Sequence, residues 1–286
     1  MHKSTMHILL TLTILMKPAV CEGQIYVTAT DVRQVKAKLS LATPYIAAIW
    51  KELFVTRNPT PPLPPIVAFR GGAASKCGQL GPKNAAFCRL DNTVYYDEVF
   101  LTELTKVAAL SLHTDGDYAA VVALAHEVGH AVRFQQDLEA CRPDRNKSTK
   151  GMSDILCSTT SLTVLPDWSY SREVQADCFA GAITKRLKEQ NLLDPGDFQE
   201  GQFALGAVGD PIEKDPFFRR ITHNHGEPVA RQRHFEAGYR GGAAACQNPF
   251  NLIANDSDKT PPDPGWQNPF NNSAKPQNPF DKFPKR

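Results

Sequence analysis

His126 and His130, four residues apart with Glu127 between them, are the residues whose types and spacing point most directly to chemistry. On a helix, positions four apart stand one above the other with Cβ atoms ~5–6 Å apart, so both imidazoles can reach one ion. Glu127 lies about 100° around the helix. It therefore flanks the ion and can take a proton from a water activated beside it. The competing account is two core histidines that happen to fall four apart. Composition alone produces the pattern with only about one chance in a hundred. Gly129 lets another backbone or a ligand approach this helix closely.

Catalytic zinc usually has three protein ligands and one exchangeable water, so a third ligand must come from a separate element. Glu173 and Asp177, four apart in the stretch from Ser171 to Gly181, suit this role. Glu173 can bind the metal. Asp177, one turn on along the same face, can accept the far N–H of a ligand histidine and fix its tautomer. Taken alone, such a pair is also what a solvated helix face looks like.

These stretches resemble the neutral zinc metallopeptidases of bacteria, which carry a His-Glu-Val-Gly-His helix and a downstream Glu-(Leu or Val)-Gln-Ala-Asp-Cys helix. Further blocks match in the same order: Cys77-Gly78 through Phe87-Cys88, Thr93 to Asp97, Ala207 to Asp210, and His225-Gly226 with Arg231, Phe235 and Gly238. The resemblance covers about Val67 to Cys246. It implies an α+β, helix-rich, zincin-like fold with a small sheet. It also implies Zn2+ held by His126, His130 and Glu173 with Asp177 behind them, and a peptide or protein substrate.

In such chemistry Glu127 acts as general base and later passes its proton to the leaving amine. The developing oxyanion needs a donor. His225 is the candidate, because it falls in a family-like block ahead of a helix; His223, two residues away, is the second choice. For both, the plain account is a loop histidine with a structural hydrogen bond. Arg231 reads as a surface or structural ion pair, with loop orientation or substrate binding as the functional alternative. His113 and His234 read as ordinary loop and helix residues.

The elements that must position these groups follow from pattern. Asp115-Gly116-Asp117 opens the clearest helix, about Tyr118 to Gln136, whose apolar residues recur at helical spacing and give it a core-facing side. A second helix is expected from near Ser171 to about Gln190, with shorter ones at Phe198–Val208 and Pro228–Ala237. Upstream, Thr30-Asp31 caps a helix running towards Leu41, and Thr43-Pro44 starts another through Leu53. Ile66–Phe69 and Thr93–Tyr96 read as short strands, β-branched or aromatic in character. They can form the sheet edge along which an extended peptide binds. Residues 137–168 read as an irregular excursion.

Domain organisation divides into residues 1–23, 24–246 and 247–286. The first segment has Lys3, an apolar run from Ile8 to Met16 and small residues near Ala19, the order of a secretory signal peptide. The run is far shorter than the ~20 residues that span a bilayer, so no stable membrane span is expected. A lipid-modified Cys21 is the lesser reading. Export would place the chain outside the cell or in the periplasm. The central segment holds six cysteines, which permit fifteen pairings. The nearest in sequence are Cys77 with Cys88 and Cys141 with Cys157, which leaves Cys178 with Cys246 to close the domain.

The last segment is rich in Pro, Asn and Lys and repeats Gln-Asn-Pro-Phe at 247–250, 267–270 and 277–280. With few aliphatic residues it reads as a disordered tail. A protein partner for these repeats defines one alternative function, a secreted zinc-containing interaction protein. Hydrolysis of a non-peptide amide is another, since the metal chemistry would be the same. A net charge of +2 with no basic block argues against nucleic acid as a partner.

Overall fold

A computed structural model of the chain describes residues 25–140, 170–209, 225–248 and 252. The first helix, α1, runs unbroken over Ala29–Leu53, where two helices are expected from the sequence. Its cap is Thr28, two residues earlier than anticipated. The Thr28 hydroxyl accepts the Asp31 N–H at 3.1 Å, and Asp31 Oδ2 accepts the Thr28 N–H at 2.8 Å, a reciprocal cap. Pro44 sits inside the helix, where a proline costs ~3 kcal/mol. The helix continues because its buried stripe of Val32, Val35, Leu39, Ala42, Ile46, Ile49 and Trp50 runs in phase across Pro44. Each large side chain so buried contributes about 1.5–3 kcal/mol, which outweighs the defect.

Five short strands follow: β1 (Ile66–Phe69), β2 (Ala73–Ser75), β3 (Gly78–Leu80), β4 (Ala85–Cys88) and β5 (Thr93–Asp97). β2 and β3 form a separate hairpin, and the main sheet has the order β1-β5-β4. β1 runs parallel to β5 and β4 antiparallel to it. The two strands legible in the sequence are thus direct neighbours, and β5 is central, not an edge. The Cys77–Cys88 disulfide ties the hairpin turn to the end of β4.

Asp97 ends β5 and caps the next helix, α2 (Glu98–Leu112), its Oδ1 accepting the Val99 N–H at 3.0 Å. With the cap inside the strand, no glycine or proline marks the change. The sequence reading contains no helix here.

The third helix, α3 (Tyr118–Ala140), carries the His-Glu-x-x-His residues. From Tyr118 to Val132 it is buried almost all round, not along one face, as expected of a central helix. Asp115 and Asp117 do not cap it. Glu200, more than eighty residues away, accepts the Gly116 N–H at 3.0 Å and the Tyr118 N–H at 2.8 Å.

Against α3 pack α4 (Tyr170–Glu189) and α5 (Asp197–Ala207), and α6 (Pro228–Gly241) packs on both of these, followed by a 3-10 turn at Gly242–Cys246. Buried Gln175 ties three of these elements together. Its Oε1 accepts from Arg133 Nη1 of α3, and its Nε2 donates to the Cys246 carbonyl, each at 2.8 Å. The Cys178–Cys246 disulfide closes the same corner covalently. The observed architecture is α+β: a helical core with a small mixed sheet at one side.

The expected Cys141–Cys157 pair, the 141–169 part of the excursion and residues 1–23 lie outside the described residues. So does the expected tail, except Gln247, Asn248 and Leu252; Leu252 is buried against the core. Among the described residues, no helix is long and apolar enough to cross a membrane.

Candidate metal centre

Close backbone packing between α3 and α4 builds the site. A Cβ on Gly129 would lie 2.8 Å from both Cα and O of Ala176. Only glycine lets the two helices approach this closely. Gly129 sits one residue before His130, and Ala176 lies between Glu173 and Asp177, so this contact places Glu173 beside both histidines and Asp177 beside His126. A second close crossing joins α4 to α6. A Cβ on Gly181 would run into the Phe235 carbonyl, and one on Gly238 into the Cys178 carbonyl. This crossing brings Arg231 to Asp177.

The resulting group is buried: His126, His130 and Glu173 are 5%, 8% and 5% exposed. His126 Nε2 lies 3.1 Å from His130 Nε2. Glu173 reaches each histidine with a different oxygen, Oε2 at 3.4 Å from His126 Nε2 and Oε1 at 3.4 Å from His130 Nε2. These three residues form a group able to hold a metal ion. Ligands 2.0–2.1 Å from a tetrahedral zinc lie about 3.3 Å from one another, the spacing found here.

Electrostatics agrees with that fit. Burial works against charge on His126, yet Asp177 and Glu173 overcome it and raise the imidazole to about 10. Burial likewise pushes Glu173 upward, but His130 and His126 hold it down to about 2. A site that so favours positive charge at His126 also favours a cation beside it.

Asp177 stands behind His126. Its Oδ1 is 2.7 Å from His126 Nδ1, which directs Nε2 towards Glu173 and His130. Asp177 is fully buried, and Arg231 grips it with Nε on Oδ2 at 3.0 Å and Nη2 on Oδ1 at 2.7 Å. Burial alone would raise Asp177, but Arg231 and His126 hold it well below the usual carboxylate range. Arg231, read from the sequence as a surface or structural ion pair with loop orientation or substrate binding as the alternative, is 1% exposed and paired with Asp177. Its long-range partner was not legible from local spacing.

Glu127 leans the other way, towards the sheet. Its Oε2 accepts the Phe87 N–H of β4 at 2.9 Å, with Glu127 9% exposed. A cleft of ≈ 210 Å³ opens over this side, lined by Asn84 and Ala85 of the β4 edge and by His126, Glu127, His225 and Arg231. His225 is exposed at the rim of the cleft, and His223 lies outside the described residues. β4, not expected from the sequence, borders the site; its weak signal is the Ala-Ala-Phe-Cys run ending at Cys88.

The model of the family described as "Putative neutral zinc metallopeptidase" matches residues 19–250. Two curated relatives, both named "Uncharacterized protein YpfJ", come from Escherichia coli K12 and E. coli O6:H1 (CFT073). Each is 29% identical over 208 residues, covering 70% of this chain and 66% of the relative. The chain therefore spans just under two thirds of the length of those relatives. No solved structure matches it.

Proposed function

The chain belongs to the zinc metallopeptidase family whose model it matches, and from that premise we propose that it hydrolyses peptide bonds at the His126–His130–Glu173 centre. The observation that carries this reading is the convergence of two imidazole nitrogens and two carboxylate oxygens at 3.1–3.4 Å beside a buried glutamate that is not part of the ligand set.

His126, His130 and Glu173 would hold Zn2+, with Asp177 orienting His126 through Nδ1. Zinc, when bound, makes water acidic enough to attack at neutral pH and polarises the carbonyl under attack. Glu127 receives the proton of the attacking water at a carboxylate oxygen and delivers it to the leaving nitrogen. The Phe87 N–H fixes the orientation of that carboxylate. An extended substrate would lie along the outer edge of β4 near Asn84 and Ala85, exchanging backbone hydrogen bonds. From the rim, His225 would donate to the developing oxyanion.

Among the described residues, the disulfides Cys77–Cys88 and Cys178–Cys246 fit an oxidising compartment. They support export of the chain by the signal peptide expected at residues 1–23.

The test is metal content and cleavage of a mixed peptide library by the purified protein, with and without a chelator. One zinc per chain and cleavage that chelation abolishes and zinc restores would support the proposal. Stoichiometric zinc with no peptide cut would move the activity to another amide. Absence of zinc binding would end the reading.

A further inference from the structure

A second group of ionisable side chains lies at the N-terminal end of α3. Asp115, Asp117, Asp197 and Glu200 each place a carboxylate oxygen within 4.8 Å of the others. Asp115 and Asp117 come from the turn before α3. Asp197 and Glu200 come from the first turn of α5. Helix dipoles account for part of this, because carboxylates are favoured at helix N-termini. Glu200 spends both oxygens on the Gly116 and Tyr118 N–H groups, and Lys38 Nζ lies 2.9 Å from Asp117 Oδ1.

Asp197 is not explained in this way. It is 1% exposed; its Oδ2 accepts the Asp194 N–H at 2.9 Å, while its Oδ1 is buried with no hydrogen-bond partner. A carboxylate oxygen left bare in the interior among three other carboxylates is costly unless a cation meets it.

We propose that Asp115, Asp117, Asp197 and Glu200 form a structural calcium site, separate from the histidine centre, that clamps the turn leading into α3 to the start of α5. The donor set is all oxygen, which selects hard cations over zinc. Calcium accepts oxygen ligands at 2.3–2.6 Å in flexible geometry. Oxygens on opposite sides of such an ion lie about 4.8 Å apart, and one oxygen from each of the four carboxylates falls within that span of the others. Magnesium demands a near-ideal octahedron and keeps several waters, so it is usually bound by only one or two carboxylates, whereas four converge here. The two ionised oxygens of Glu200 keep acceptor capacity beyond their N–H bonds. Because Asp115 is exposed, the affinity should resemble that of extracellular calcium modules, on the order of 10⁻⁴–10⁻³ M.

The test is calorimetric titration of the full, zinc-loaded chain with calcium chloride, repeated with magnesium chloride, alongside thermal unfolding in each salt. Zinc loading keeps added calcium from the histidines. The expected result is one calcium per chain, an unfolding midpoint raised by several degrees at saturation, and weaker binding of magnesium. Asp197→Asn should lower calcium affinity by about tenfold or more. Asp115→Asn, at an exposed position that does not put folding at risk, should also lower it. No calcium uptake at millimolar concentration, or uptake that a folded variant leaves unchanged, overturns the proposal.

Discussion

Arg231 and Asp177 form a two-pronged ion pair with almost no access to water, the side chains being 1% and 0% exposed. The pair joins α6 to α4 directly behind His126. Removing one partner of such a pair leaves an uncompensated buried charge, which costs about 3–5 kcal/mol. Arg231→Ala should therefore lower stability by that order in denaturant unfolding. Arg231→Lys should recover only part of it, since an ammonium cannot reproduce the planar fork. Asp177→Asn should weaken zinc binding by roughly 10–100-fold, the usual effect of losing the partner that orients a ligand histidine. Competition with a chromogenic chelator measures this directly.

Gly129→Ala tests the helix crossing. The added methyl would meet the Ala176 backbone at 2.8 Å, and backbone cannot rotate away as a side chain can. The expected cost is about 1–3 kcal/mol. Zinc affinity should fall with it, because parting α3 from α4 withdraws Glu173 from the histidines. Unchanged zinc affinity in a destabilised Gly129→Ala protein would show that this contact does not set the ligand geometry.

The Cys178–Cys246 disulfide spans 68 residues of sequence. Chain-entropy reasoning gives such a long loop about 4 kcal/mol. Replacing both cysteines by alanine should lower the denaturation midpoint accordingly. Replacing Cys77 and Cys88, only 11 apart, should cost less.

Asp197 predicts a pH dependence. Its folded value is raised to about 6 from an ordinary 3.8, so the folded state binds its proton more tightly than the unfolded chain. Ionisation therefore opposes folding: stability from this group is full below about pH 4 and is lost as pH rises through 6. In calcium-free buffer, Asp197→Asn should gain stability relative to the parent protein between pH 5 and 7. The two should converge towards pH 4. A difference independent of pH would assign Asp197 an ordinary ionisation.

The sequence carried the chemistry more clearly than the architecture. His126, Glu127 and His130 are local in sequence, so helical spacing alone places them together. Glu173 and Asp177 followed because a third ligand must come from a second helix, and the family resemblance singled out that helix. What could not be read were contacts made at long range. Glu200 caps α3 from more than eighty residues away, although Asp115 and Asp117 occupy the local capping positions. Arg231 reads as a surface or structural ion pair, and its buried partner Asp177 is fixed by the distant Gly181 and Gly238 crossing. α2 was missed because its cap, Asp97, lies inside a strand, and α1 was divided because Pro44 is a strong local signal that a continuous buried stripe overrides. β4 lacks the β-branched residues that mark β1 and β5, yet it supplies the Phe87 N–H that holds Glu127.

The most direct test of the central claim is to compare Glu127→Gln with the parent protein for zinc content and peptide-library cleavage in the same preparations. The account predicts one zinc per chain in both, and cleavage by the variant reduced by about 10²–10⁴-fold, the usual contribution of a general base. Undiminished cleavage by a zinc-loaded Glu127→Gln protein would contradict it.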